Sequence, residues 1–223
     1  LVFAVLNLCG DGGHLDEGEA AVDDFGRLDA FLRGWCDFPG AELAKARLVF
    51  RPVAVPRGAL LTRAGEWPDR VAFIVAGLVR LVYATVDGTV RTYGFRAENQ
   101  LACAYSAVLR GERSRMSIEA LEPCSVLMAS RPAFDELTAG HRCWRELIAR
   151  LTEDLYLQQD IRQRELLLQD AATRYRSFVS GHPGLARRLT QAQIASYVGV
   201  TPVALSRIRG RLISVNDKSA ARS

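Results

Sequence analysis

The sequence predicts an α+β chain: an N-terminal antiparallel β-roll of jelly-roll type, a long central dimerisation helix, and a C-terminal (winged) helix-turn-helix. Short runs rich in Val, Leu, Phe and Tyr follow one another between residues 48 and 130, cut by turn residues, as in sandwiches and rolls. From Arg142 to about Gln169 no Gly or Pro interrupts a strongly helix-forming sequence. Beyond Leu189, two short helical patterns are joined at Gly199.

Taken in order, residues 1–24 read as a loose lead-in, Gly- and Asp-rich after the first nine. The apolar run Leu1–Cys9 has no basic residue ahead of it and no small-residue cleavage site behind it, so it is not expected to be a signal peptide. Residues 25–140 form the expected roll domain, opened by a short helix over Phe25–Phe38 with apolar positions at Phe25, Leu28, Phe31, Leu32 and Trp35. Strands are expected at Leu48–Val55, Ala59–Arg63, Arg70–Ala76, Leu78–Ala84, Val90–Phe95, Leu101–Tyr105, Met116–Leu121 and Cys124–Ala129. Pro56-Arg57-Gly58 marks one turn, and Asp87-Gly88 marks a hairpin between the fourth and fifth runs.

Pro132–Leu137 reads as the first turn of a helix. In the long helix, residues 141–170, Trp144, Ile148, Leu151 and Leu155 recur at coiled-coil spacing and predict a dimer seam. Leu147, Leu157 and the stretch Leu166–Leu168 form a second apolar line.

In residues 171–223, Thr190 with Gln193 fits a capping box, Ile194, Ala195 and Val198 supply an inner face, and Gly199 permits a sharp stop. Thr201 then caps a second helix starting at Pro202, whose Leu205, Ile208 and Leu212 recur on one side. After Leu212 only eleven residues remain, which would cramp a complete two-stranded wing, so either a reduced wing is expected or the chain is cut short.

Charge divides along the chain. Nine basic residues face one acid, Asp217, between Ala171 and Ser223, a net +8 that leaves −4 for the rest; Leu1–Ala46 alone carries −6. An arginine-rich stretch of ordinary hydrophobicity suggests a folded surface that meets phosphates, because each neutralised phosphate releases counterions. Arg207 and Ser206 lie on the face of the second helix not needed for packing, with Arg209 and Arg211 beyond them. An arginine fork matches guanine O6 and N7 in the major groove. Thr190, Thr201, Ser206, Arg207, Arg209, Arg211, Arg187 and Arg188 are the expected DNA-binding residues, with Arg187 and Arg188 on phosphates.

Other chemistries find little support. The five cysteines, at 9, 36, 103, 124 and 143, include no C-x-x-C pair, and the three histidines, His14, His141 and His182, do not cluster. A metal enzyme on a β-roll needs several inward His and carboxylate ligands, yet no histidine lies between Leu48 and Ser130. No apolar run reaches the roughly 18 to 20 residues of a membrane span, so a cytoplasmic protein with no membrane partner and no enzymatic activity is expected.

Two regions together resemble the Crp/Fnr superfamily of bacterial transcription regulators. Gly58, Leu61, Gly65 and Phe73–Leu81 are similar to the glycine-punctuated strands of its cyclic-nucleotide-binding-type roll, as is Ser117–Glu122 to a later strand. Ile194–Pro202 and Leu205–Arg209 are similar to its helix-turn-helix. The resemblance covers about residues 46–212 and implies double-stranded DNA, a second copy of the chain and RNA polymerase as partners.

The resemblance also implies a place for an effector: Glu98 and Asn99, with Arg113, Ser114 and Arg115. Cyclic-nucleotide sensors of this fold carry a Gly-Glu pair there, then an Arg-Ser or Arg-Thr that holds the cyclic phosphate. Here Glu98-Asn99 stands for the first, and Ser114 falls at the arginine position, flanked by Arg113 and Arg115. A one-residue shift in a strand reverses side-chain direction. A cyclic nucleotide is therefore disfavoured and no other cofactor is expected; the clustered cysteines of an Fnr-type iron–sulfur sensor are missing as well. The alternative is a ligand-binding or protein-interaction roll without specific DNA binding.

Overall fold

The computed structural model describes residues 24–220. The expected lead-in, with Cys9 and His14, lies outside the described residues, save Asp24. Two compact units are present: residues 24–89 with 93–155, and residues 156–220 with 90–92.

The larger unit opens with helices α1 (Asp24–Trp35) and α2 (Gly40–Val49). Eight strands follow: β1 (Arg51–Val55), β2 (Leu60–Thr62), β3 (Arg70–Ala76), β4 (Val79–Ala84), β5 (Val90–Arg96), β6 (Gln100–Ala102), β7 (Met116–Ala120) and β8 (Cys124–Ser130). Between β6 and β7 lies a short helix, α3 (Tyr105–Arg110); after β8 come α4 (Arg131–Ala139) and α5 (Arg142–Leu168), which runs on into the smaller unit. The strands form two four-stranded sheets, ordered β1-β8-β3-β6 and β2-β7-β4-β5. The described pairings are antiparallel, with Phe73 opposite Leu127 and Leu81 opposite Ile118.

Side-chain alternation explains why β3 is apolar throughout. Ala72 and Ile74 point between the two sheets to meet Val55, Leu61, Leu81, Met116, Ile118 and Val126. Val71, Phe73 and Val75 point the other way, onto Leu28 and Leu32 of α1, Leu43 and Ala46 of α2, Phe134 of α4 and Trp144 of α5. A strand covered on both faces loses the polar half of its period.

The eight expected strands are all present, with differences at their ends. The run Leu48–Val55 is a strand only from Arg51, because Leu48 and Val49 finish α2, which Ala, Glu, Leu and Lys favour. Leu43, Ala46 and the following Phe50 bury one side of that helix. The run Leu101–Tyr105 ends at Ala102, and Tyr105 starts α3. Asp87-Gly88 turns the β4–β5 hairpin, with Thr85 N–H donating to Thr89 O at 2.9 Å.

The smaller unit holds the end of α5, then α6 (Ala171–Gly181), α7 (Pro183–Arg188), α8 (Gln191–Val198) and α9 (Pro202–Ala220). Helix α6, unmarked by the apolar spacing, is capped by Asp170, whose side chain accepts from Thr173 N–H at 2.7 Å and is held below the usual carboxylate range by that bond. The expected wing is corrected: α9 is continuous to Ala220, so no wing strand lies among the described residues. No proline follows Pro202, and Gly210, with open space around it, is tolerated within the helix.

Candidate nucleic-acid interface and effector cleft

Helix α8 is framed by local bonds. Thr190 Oγ1 accepts from Gln193 N–H at 3.3 Å, and Gln193 Oε1 accepts from Thr190 N–H at 2.8 Å, the capping box expected from the sequence. At its other end Gly199 adopts φ +85° and donates to Ala195 O at 2.9 Å. Ile194, Ala195 and Val198 are buried with Leu205 of α9. Thr201 Oγ1 accepts from Ala204 N–H at 3.2 Å and sets the start of α9.

This packing sorts the arginines. Ser206, Arg207 and Arg211 are exposed along α9, and Arg209 is half-buried. Arg187 and Arg188 are exposed at the end of α7, with Thr190 and Thr201 exposed nearby in sequence. The two threonine hydroxyls accept within their caps and each retains a proton to donate.

Two arginines have structural roles that the sequence did not reveal. Arg174 Nε donates to Val198 O at 3.0 Å and its Nη1 to Gln169 O. Arg162 donates to Tyr197 O and lies over the Tyr197 ring, 4.2 Å from its centroid. Together they satisfy carbonyls at the end of α8, where a helix leaves four without internal partners. The only available sequence signal was the lack of a basic residue in the last turn of α8.

The dimer seam is corrected in its first half. Trp144 is fully buried, its indole N–H donating to Glu42 Oε2 at 2.9 Å, and Ile148 and Leu151 pack on the same core. Leu155 is half-buried. Coiled-coil spacing identified an apolar face, but the domain's own α2 and α4 cover its beginning. The apolar residues left exposed on α5 lie further along: Tyr156 (71%), Leu157, Leu166, Leu167 and Leu168.

The five expected effector residues do not converge. Glu98 Oε1 accepts from Gly77 N–H at 2.8 Å, beside the turn from β5 to β6. Asn99, at φ 60°, forms that turn and donates its N–H to Ile74 O at 2.8 Å. Ser114, 2% exposed, donates its hydroxyl to Met116 O at 2.7 Å, so at the arginine position a small side chain closes a local turn. Arg113, Ser114 and Arg115 instead line an open cleft of about 600 Å³ with Ala64, Gly65 and Trp67, which Glu98 and Asn99 do not reach.

Burial pushes the Cys36, Cys103 and Cys143 thiols up, Cys103 to about 11, which leaves little thiolate for redox chemistry. Among the described residues, no three His, Cys, Asp or Glu side chains are placed to hold a metal. No described helix is long and apolar enough to cross a membrane.

Residues 52–141 match the family described as the cyclic nucleotide-binding domain. No curated protein matches the sequence. Among solved structures, FixK2 from Bradyrhizobium japonicum superimposes with a TM-score of 0.65 at 19% identity, covering 75% of this chain and 86% of that one. The c-di-GMP responsive global regulator CLP of Xanthomonas campestris gives 0.65 at 13% identity, with 80% and 93% covered. A Eubacterium rectale protein described as a Crp/Fnr-family transcriptional regulator gives 0.61 at 14%, with 84% and 88% covered. The chain thus has the fold of the Crp/Fnr transcription regulators.

Proposed function

We propose that this chain is a homodimeric, sequence-specific DNA-binding transcription regulator of Crp/Fnr type that reads an inverted-repeat operator through α9. The observation that carries the reading is the exposed Ser206, Arg207 and Arg211 on a helix whose start is fixed by Thr201, within a stretch free of acids from Asp170 to Asp217. Arg207 is assigned to a base edge, and Arg187, Arg188, Thr190 and Thr201 to phosphates. Self-association is assigned to the exposed apolar residues of α5 from Tyr156 onward.

Operator selection with the full chain tests the reading. Two recognition helices about 34 Å apart should select an inverted repeat, with two chains per duplex in sedimentation. Arg207→Ala should cost about 1 to 3 kcal/mol and relax preference at one base pair per half-site. Arg188→Ala should weaken all sequences alike and lower the salt slope by about one. A monomer on a single asymmetric half-site, or an unchanged site after Arg207→Ala, defeats the assignment; no shift of any duplex favours the roll as a ligand-binding or interaction module.

We further infer that the roll does without the usual cyclic-nucleotide contacts. A cyclic phosphate buried there needs a guanidinium and backbone donors, since an unpaired anion costs several kcal/mol. Ser114 offers no charge, and Glu98 is engaged with Gly77. Neither cyclic AMP nor cyclic GMP is expected to raise the melting temperature at millimolar concentration. Saturable micromolar binding in calorimetry, abolished by Arg113→Ala, would overturn this.

A further inference from the structure

We infer that Val203, in the first turn of α9, reads the C5 methyl group of a thymine, so that each half-site of the operator carries a T·A pair within about two base pairs of the pair read by Arg207. The inference rests on the reading of α9 as the DNA-contacting helix and adds to it the chemistry of one further base.

Helical spacing sorts α9 into two faces. Leu205 is fully buried, and Ile208 and Leu212 are half-buried on its side. Val203, Ser206, Arg207, Gly210 and Arg211 follow one another at one- and three-residue steps and are all exposed, so they form one stripe along the helix. Val203 is the odd member of that stripe. It is 63% exposed, and among the described side chains beyond Ala171 it is the one large apolar residue left in water. A β-branched residue is also a weaker helix former than alanine, so neither local propensity nor packing within the chain accounts for valine at this place.

Gly210 points to an outside surface as well. A Cβ added there would meet nothing within 4 Å, so the chain itself does not require glycine, although glycine weakens a helix interior. A bare backbone one turn beyond Arg207 lets the helix lie close against something outside the chain.

The charge of the stripe selects what that surface is. It holds two arginines and no acid, and no acid lies between Asp170 and Asp217, which suits a polyanion. In a helix-turn-helix the N-terminal residues of the second helix face the base edges, and Val203 follows Pro202 at that end, where Thr201 Oγ1 fixes the helix start. The major-groove edges of the bases present hydrogen-bonding groups and one apolar group, the thymine methyl. Valine laid on a donor or acceptor would remove its water without replacing the hydrogen bond. Laid on the methyl, it buries two apolar surfaces against each other. Four residues of helix rise about 6 Å and base pairs lie about 3.4 Å apart, so Val203 and Arg207 read positions about two base pairs from one another.

The experiment uses the full chain on the operator duplex it selects, with each thymine replaced singly by uracil, which removes the methyl and nothing else. Fluorescence anisotropy measures the Kd. One thymine in each half-site, within about two base pairs of the guanine whose selection Arg207→Ala relaxes, should lose about three- to fivefold in affinity on conversion to uracil, the effect of uncovering about one methyl group. In Val203→Ser that difference should vanish, and selection at the same position should no longer favour thymine. Val203 is exposed, and an unchanged melting temperature reports that the fold is retained. If duplexes bind but no thymine in that window responds to uracil, or if the response is the same in Val203→Ser, this inference falls while the DNA-binding reading stands. If no duplex is selected, both fall. A Val203→Ser effect on the sedimentation of the free chain, with the thymine–uracil ratio unchanged, would place Val203 in a protein contact and overturn the inference too.

Discussion

Replacing Trp144 with alanine is expected to lower stability by about 3 to 5 kcal/mol, the range for emptying a fully buried aromatic site. Its ring meets Phe38 edge-on at 4.9 Å and Phe134 at 6.5 Å between centroids, and its N–H is one of two donors to the Glu42 carboxylate, Lys45 being the other at 2.7 Å. Trp144→Phe keeps most of the packing and removes the N–H, so it isolates the second effect at about 1 to 3 kcal/mol. Urea unfolding of the larger unit measures both, and a Trp144→Ala loss below about 1 kcal/mol would contradict the packing described. Acid should act on the same group. The Lys45 bond first, then the Trp144 bond, holds the Glu42 carboxyl below its ordinary value of 4.5. The folded state therefore binds this proton less readily than the unfolded chain. The resulting stabilisation is fully present above the ordinary value and is lost as pH falls through the folded one.

Gly77→Ala is expected to be nearly as damaging, at about 2 to 5 kcal/mol, by a different route. Gly77 adopts φ +108° between β3 and β4, and an added Cβ would lie 2.5 Å from Cys124 Sγ and 2.8 Å from Cys124 Cα. Neither atom can withdraw easily: Cys124 opens β8, paired with Val55 of β1, and its backbone is part of the sheet. Thermal unfolding should show the loss. Cys124→Ala combined with Gly77→Ala should recover only part of it, because the clash with the Cα and the backbone strain remain. Full recovery would show that the sulfur alone sets the constraint.

The parts legible in the sequence are those whose causes are local. The stretch between Arg70 and Gly77 is apolar throughout, and the five consecutive buried residues Val71–Val75 are what two-sided burial requires. The α8–α9 turn was readable because Thr190, Gln193, Gly199 and Thr201 carry their own bonds within three or four positions. Helix α2 was obscured because Leu48 and Val49 have strand-like chemistry, and only Leu43 and Ala46, packed on β3 and α1, show which pattern prevails. Helix α6 buries Phe178 alone and offers no stripe to detect. At the candidate effector site the deciding contacts are long in sequence. The bond from Gly77 to Glu98 spans 21 positions, and Arg113 reaches Gly65 across 48. Spacing along a strand cannot reveal that Glu98 is already engaged, nor that Trp67 stands beside Arg113.

The clamp that Arg162 and Arg174 place on α8 bears on where this protein can be divided. Sequence alone suggests a cut near residue 171, after the long helix. Such a cut would discard Arg162 and its hold on Tyr197, and would strip the carbonyl of Gln169 from Arg174. Residues 156–220 instead share one compact unit, so the last turns of α5 belong to the architecture of the helix pair as much as to the helix they continue. A fragment built around α8 and α9 therefore has its natural edge near Tyr156, and exchange of this unit must carry that stretch of helix along with α8 and α9.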